Sequence, residues 1–186
     1  MPTAILTYDS TVTSNWSENI ANLQNDDSSW ASSDTAGHLA TITLSDLPAD
    51  ATAVQDITVK LVDAYIELRG ASAVVKVFIQ SGGVNLYNDS TTVNENIATY
   101  SQTTRTTSDG SSAWTVSEVN GLRIVLQSVS ANPNYGGSGG LRIDQLQLVV
   151  NYTAAVVVPT PTYDSTVNNI HVTSGNINVT SGNIFI

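Results

Sequence analysis

The sequence predicts an all-β protein, an antiparallel β-sandwich followed by a short C-terminal tail of β-repeats. Of its 186 residues, 41% are hydrophobic and 12% are charged, which is too apolar for a disordered chain and too weakly charged for a helix-rich one. Strand- and turn-forming Thr, Ser, Asn, Val and Ile fill the gap. Alternating apolar runs also recur with turn residues between them, and this spacing is typical of sandwiches and barrels.

The strand pattern extends through most of the chain. Within each run one side of the predicted strand is apolar and faces a core. After Val62 the apolar parity changes, which predicts a bulge or burial on both faces at that point. The predicted inward-facing residues are Ala40, Ile42 and Leu44; Ile57, Val59 and Leu61; Ala64, Ile66 and Leu68; Ala73, Val75, Val77 and Ile79; Leu122, Ile124 and Leu126; and Leu146, Leu148, Val150 and Tyr152.

Helical signals are few. Trp16, Ile20 and Leu23 fall at helical spacing and Asn15 is a candidate cap, which predicts one short helix or helical turn within residues 15–23.

The chain divides at a proline-containing segment. Residues 154–161 include two prolines, which favour an extended, semi-rigid linker. We therefore predict a sandwich domain with an N-terminal arm over residues 1–153, the linker over 154–161 and a repeat-bearing assembly tail over 162–186.

The tail contains a heptapeptide repeat. It occupies residues 170–176, recurs with one change at 177–183 and begins again at 184–186. So few copies cannot bury their own apolar side chains, because repeat units need stacked neighbours. We expect the tail to dock on another chain, most simply in a homotrimer, although a meander folded back on its own domain stays open. The predicted assembly residues here are Ile170, Val172, Ile177, Val179, Ile184 and Ile186.

A second repeat links the two parts of the chain. The hexapeptide TYDSTV occupies residues 7–12 and recurs without change at 162–167. Both copies are expected to present the same short element to equivalent surfaces, which adds Tyr8 and Tyr163 to the predicted assembly interface.

Charge and cysteine content exclude several classes of function. The net charge of -10, with six Lys and Arg residues, would repel a phosphate backbone, so no nucleic-acid partner is expected. No run approaches the roughly 18 apolar residues of a membrane span, and Met1-Pro2-Thr3 opens without the features of a secretory signal. The absence of Cys removes disulfides and thiolate metal sites. We expect synthesis in a host cytoplasm and no membrane association.

Catalytic signals are lacking, and no catalytic residue or cofactor is predicted. The sequence has no nucleophile-elbow, zinc-protease or P-loop motif. The two histidines are His38 and His171, and the repeat that contains His171 has Asn178 at the equivalent place in its next copy.

Two groups of residues, one acidic and one aromatic, are candidates for binding sites. Residues 25–27 (Asn-Asp-Asp) could supply oxygen ligands to Ca²⁺, but their spacing differs from the EF-hand loop and favours a solvated turn, so no metal site is predicted. Trp30 and Trp114 could stack on a sugar ring, although core packing is the favoured interpretation because Trp side chains are mostly buried.

Four segments carry a resemblance to a known group of proteins. Trp30 precedes a strand, and residues 57–62, 113–126 and 143–152 follow in order. Together they resemble the jelly-roll modules of tailed-phage virion proteins, over about residues 16–152. The resemblance implies a jelly-roll-like sandwich in a bacteriophage particle, as a capsid decoration (cement) protein, a head fibre or a tail-fibre segment, and it transfers no catalytic residue.

These observations favour a non-enzymatic structural virion protein that decorates or stabilises the shell. Its expected partners are copies of itself, as a trimer, and the major capsid protein or another virion component. The alternative is a carbohydrate-binding module of a tail fibre or receptor-binding protein, in which Trp30 and Trp114 would contact the glycan. A glycan hydrolase is a third possibility and would need a pair of carboxylates about 5 to 10 Å apart.

Overall fold

The computed structural model describes residues 1–16, 19–67, 72–130 and 140–156. Residues up to Ala155 form one compact unit that is almost entirely antiparallel β-structure, which confirms the predicted fold class. The described strands are β1 (Thr3–Ser14), β2 (Ala31–Ser33), β3 (Leu39–Leu44), β4 (Ala51–Ile66), β5 (Ser72–Ser81), β6 (Val84–Asn94), β7 (Ala98–Ser101), β8 (Arg123–Ser130), β9 (Leu141–Ile143) and β10 (Gln145–Ala154).

The strands are arranged in two sheets with the order of a jelly roll. The first sheet has the order β7-β4-β10-β1, and the second has the order β3-β8-β5-β6. Apart from the β5–β6 hairpin, neighbouring strands within each sheet are not consecutive in the chain, as the crossed connections of a jelly roll require. The short strands β2 and β9 pair with each other, and β9 also pairs with the end of β4.

Strand β1 belongs to both sheets. Its first half, from Thr3 to Thr7, pairs with β10, and its second half, from Tyr8 to Ser14, pairs with β3. The register shifts in the second half, where an irregularity lets the strand leave one layer for the other.

The core lies between the sheets and follows the sequence pattern. Every predicted inward-facing residue that the structure describes is buried in one hydrophobic cluster, which confirms the predicted strand faces. Leu68 lies outside the described residues. The β5–β6 connection turns at Gly82 and Gly83, both with left-handed φ, as a two-residue hairpin requires.

The predicted irregularity after Val62 is present in β4. Val62 is buried as well as Leu61, and Ala64 and Ile66 continue the inward face with the new parity. The register with β7 shifts at this point, and Asp63 has φ of 47°. The side chain at 63 is therefore redirected out of the regular strand alternation.

Two short helices interrupt the strands. Among the described residues of the segment predicted as helical, a 3-10 helix begins at Ile20 and ends at Gln24, and Asn19 caps it by accepting from the Ala21 N–H. The candidate cap Asn15 instead accepts a hydrogen bond from the Leu39 N–H, so the prediction was wrong about the cap. The α-helix α1 (Val116–Asn120) was not predicted.

Most of the predicted linker and all of the predicted tail lie outside the residues that the structure describes. β10 continues to Ala154, and the Ala155 N–H donates to the Asp50 carbonyl. Residues 157–186 lie outside the described residues, and so do the assembly positions Tyr163, Ile170, Val172, Ile177, Val179, Ile184 and Ile186. The predicted tail stays a prediction. Among the described residues, no helix has the length and apolarity needed to cross a membrane.

Candidate functional site

The two tryptophans predicted as sugar contacts lie in different environments. Trp114 is 3% exposed, its Nε1–H donates to the Arg105 carbonyl at 3.0 Å, and its ring lies 6.2 Å from the ring of Tyr87. Its environment is that of a core residue, which leaves no ring face for a sugar. Trp30 is half-buried and makes an edge-to-face contact with Tyr65 at 4.8 Å, so part of this aromatic pair remains accessible.

Tyr8, predicted at an assembly interface, lies in the middle of β1. Its side chain packs partly against the core, and its hydroxyl and that of Thr11 are 3.0 Å apart. The first copy of the repeated hexapeptide is thus an internal strand, paired at Thr7 with β10 and from Tyr8 onward with β3.

The second sheet has an outer face with an apolar centre, which the sequence analysis did not single out. Val125 in β8 points away from the core cluster and yet is 6% exposed. Its cross-strand neighbours are Phe78 in β5 and Thr41 in β3, and Asn88 in β6 pairs with Phe78. One row across four strands therefore reads Thr41, Val125, Phe78 and Asn88.

Polar and cationic side chains border this row. On one side Lys76 pairs with Gln127, and on the other Gln80 pairs with Arg123. We call the surface formed by Thr41, Lys76, Phe78, Arg123, Val125 and Gln127 the outer face. Two of the chain's six cations lie on it, although the chain as a whole carries a net charge of -10. Phe78 is half-buried and supplies the accessible apolar surface of the outer face, and hydrogen-bond donors and acceptors surround it.

Three carboxylates meet at the bulge of β4, and we call Asp26, Asp63 and Asp144 the carboxylate cluster. One oxygen from each lies within 4.8 Å of the others. Asp26 is in the loop after the 3-10 helix, Asp63 is at the bulge, and Asp144 separates β9 from β10. The Asp144 N–H donates to the Val62 carbonyl, which holds the β9–β10 junction against the bulge.

Asp144 is the buried member of the carboxylate cluster. It is 1% exposed, whereas Asp63 is half-buried and Asp26 is exposed. Its Oδ2 accepts from the Ser28 N–H at 3.0 Å, and its Oδ1 is buried with no hydrogen-bond partner among the described residues. Burial raises the pKa of the Asp144 carboxyl, the N–H of Ser28 lowers it, and the nearby carboxylate of Asp26 raises it further.

Carboxylate oxygens in this arrangement could hold a hard divalent cation. Of the acidic pair that the sequence suggested, only Asp26 belongs to the carboxylate cluster, because the side chain of Asp27 accepts from the Ser29 N–H in a local turn. Asp63 and Asp144 were missed. Their signals in the sequence were the change of parity after Val62 and a single acid between apolar strands.

Two solved structures are similar to the chain at a low level. One, described as "CBM4 structure and function", is 12% identical with a TM-score of 0.35, and the match covers 67% of this chain and 76% of that one. Another, described as "Truncated AlyQ with CBM32 and alginate lyase domains", is 13% identical with a TM-score of 0.37, and covers 86% of this chain and 36% of that one. No protein-family model and no curated protein matches the chain. At these TM-scores the likenesses carry no argument about what the chain binds.

Proposed function

We propose that the chain is a non-catalytic carbohydrate-binding protein whose glycan lies on the outer face of the second sheet. The observation that carries this proposal is the row from Thr41 to Asn88, in which the half-buried Phe78 lies beside the buried Val125 and between polar ends. A sugar ring has an apolar face of C–H groups and a rim of hydroxyls. Phe78 suits the apolar face, and the neighbouring amides, hydroxyls and cations suit the rim.

The charge of the chain favours a neutral polysaccharide. With a net charge of -10, the surface beyond the outer face would repel a polyanionic glycan as it would repel a phosphate backbone. Lys76 and Arg123 then act as hydrogen-bond donors to hydroxyl oxygens rather than as partners of carboxylates.

Burial of Asp144 supports a binding role over a hydrolytic one. The carboxylate cluster has oxygen separations close to the roughly 5 Å of a retaining glycosidase pair. A glycosidic oxygen must reach the acid, however, and Asp144 is 1% exposed. Asp144 is therefore poorly suited to act as the acid of a glycosidase pair.

Affinity electrophoresis of the full chain through gels that contain neutral polysaccharides tests this function. We expect retardation of the wild-type chain by at least one neutral polysaccharide and a loss of affinity of about tenfold in Phe78→Ala, equivalent to about 1.4 kcal/mol. Ile97→Ala is the matched control, because it removes an exposed apolar side chain from a loop outside the outer face.

Two results would overturn the proposal. One is equal retardation of the wild-type chain and Phe78→Ala, with both folded by circular dichroism. The other is no retardation of the wild-type chain by any neutral polysaccharide, including the outcome that only a polyuronate retards it.

A role in a phage particle is a second proposal. What favours it is the repeat at residues 170–186 together with the resemblance of residues 16–152 to virion jelly rolls. The two proposals are compatible if the glycan-binding sandwich is part of a fibre. Antibody labelling of intact phage particles tests the virion role. The virion role would be contradicted if the chain were present in the lysate but the antibody labelled no particle.

A further inference from the structure

We propose that Asp26, Asp63 and Asp144 form a Ca²⁺ site that joins three distant segments of the sandwich. One oxygen from each carboxylate lies within 4.8 Å of the others. Ca²⁺ binds oxygen at about 2.3 to 2.6 Å, so two oxygens on one ion are separated by at most about 5 Å. The oxygens of the carboxylate cluster are close enough to share a single ion without rearrangement of the backbone.

The described protein groups do not satisfy every hydrogen-bond acceptor of the Asp144 carboxylate. Its residue is 1% exposed, and its Oδ1 is buried without a hydrogen-bond partner among the described residues. A buried acceptor without a donor is costly, and a buried charge is normally paired or bound to a metal. The backbone N–H groups of Ser28 and Asp27 favour the charged carboxylate, but two further carboxylates lie within 4.8 Å and oppose it. A cation bound between the three carboxylates would turn this repulsion into attraction.

Two residues at the carboxylate cluster have a backbone conformation that is unfavourable for residues other than glycine. Among the described residues, Ser28 and Asp63 are the non-glycine positions with left-handed φ, at 65° and 47°. The Ser28 N–H contacts the Asp144 carboxylate, and Asp63 belongs to the cluster. The strained positions of the described backbone are thus the ones that bring the loop and the bulge to Asp144.

Neighbouring contacts fix the loop in a position to contribute. The Gln145 side chain donates to the Gln24 carbonyl at 2.9 Å, and the Asn22 side chain donates to the Trp30 carbonyl at 2.9 Å. These bonds anchor both ends of the loop that carries Asp26. The exposed position of Asp26 leaves the cluster open to solvent on one side, which gives an ion an entry path and room for water ligands.

Calcium fits this set better than magnesium does. Ca²⁺ accepts six to eight oxygens in irregular geometry, whereas Mg²⁺ requires a near-ideal octahedron and keeps several of its waters. Mg²⁺ is usually held through one or two carboxylates, whereas the cluster supplies three, from a loop, a bulge and a strand junction.

The test uses the full chain after dialysis against a chelator. Calorimetric titration with CaCl₂ should give one bound ion per chain, and thermal unfolding in 1 mM CaCl₂ should occur about 5 °C or more above the unfolding in chelator. The same concentration of MgCl₂ should give a clearly smaller shift.

Three Asp→Asn variants separate this site from general charge effects. Asp63→Asn and Asp26→Asn should each weaken Ca²⁺ binding about tenfold or more and abolish most of the thermal shift. Asp27→Asn is the matched control, since it removes the same charge from the same loop but its side chain only caps the Ser29 N–H. Asp26 is exposed, so Asp26→Asn keeps the test valid if Asp63→Asn does not fold.

Three outcomes would overturn the proposal. They are no thermal or calorimetric response of the wild-type chain up to 10 mM CaCl₂, an equal response to MgCl₂ and CaCl₂, and a loss in Asp27→Asn as large as the loss in Asp26→Asn.

Discussion

Two regions of the molecule use carboxylates in opposite ways. In the segment around α1, Asp109 accepts hydrogen bonds from the backbone and side chains of Ser111 and Ser112, and Glu118 accepts from the backbone and side chain of Thr115. Hydrogen bonds from the Ser112 and Ser111 backbones hold the pKa of Asp109 well below its usual range, and the Thr115 backbone N–H likewise lowers the pKa of Glu118. In the carboxylate cluster, burial raises the pKa of Asp144.

The two regions differ in where the hydrogen-bond donors to their carboxylates come from. Around α1 the main donors to each acid come from residues within three positions, so the local turn satisfies most of the charge. In the carboxylate cluster the backbone donors to Asp144 come from distant residues, Ser28 at 116 positions and its neighbour Asp27, and two further carboxylates oppose them. The first arrangement is complete when the chain folds, and the second becomes complete when a cation is added.

The largest effect is expected for Asp144→Asn in chelator. The amide can accept from the Ser28 N–H and also donate to the carboxylates of Asp26 and Asp63. Because an unsatisfied buried acceptor costs about 1–3 kcal/mol, the variant should be more stable than the wild-type chain by about 1–2 kcal/mol in urea unfolding.

Addition of 1 mM CaCl₂ should then reverse the order, because the wild-type chain gains stability from the ion and the variant does not. A variant that is less stable than the wild-type chain in chelator would show that the carboxylate is already satisfied within the fold.

A smaller effect is expected for Thr115→Ala. The Thr115 hydroxyl accepts from the Glu118 N–H at 3.1 Å, and Glu118 closes the capping box on the Thr115 N–H. Loss of the cap should cost about 1 kcal/mol in urea unfolding, with the same value in chelator and in CaCl₂. Ser117→Ala is the control, since it removes an exposed hydroxyl from α1. Equal losses in the two variants would mean that the cap does not stabilise the helix.

The smallest effect is expected for Asp109→Asn, because Asp109 is fully exposed. Its folded pKa lies below the unfolded value, so the charge contributes stability at neutral pH, and this contribution is lost as the pH falls below the ordinary carboxyl pKa of about 4. The difference in unfolding temperature between the wild-type chain and the variant should be constant from about pH 7 to pH 5 and should narrow progressively below pH 5. A difference that is constant over the whole range would contradict the role of the charge.

Most of the fold could be predicted from the sequence because burial alternates along strands. The inward faces followed from parity alone, and even the bulge in β4 was visible as a change of parity at Val62. The order of strands was not visible in that pattern, since pairing between distant segments depends on the whole chain. The helix α1 was missed although Thr115 and Glu118 form the capping-box signature, because five residues give no helical periodicity.

The candidate sites were harder to predict, for two physical reasons. Asp26, Asp63 and Asp144 come together only when β4 and the β9–β10 junction have paired, so no local spacing reveals them. The alternation of side chains along β5 does place Phe78 on the outer side of the strand. The predicted sugar contacts, however, were the tryptophans, and Trp114 is buried and donates to the Arg105 carbonyl.

The sharing of β1 between the sheets has a consequence for how the protein is made. Thr3 pairs with Asn151, so the first strand of the sandwich to be synthesised finds half of its partners in the last strand of the sandwich. Until translation passes that point, the first half of β1 and the edge of β4 that pairs with β10 have no partner. Closing so long a loop is slow, and the domain therefore completes its folding after synthesis of its final strand, with the nascent chain exposed to chaperones until then.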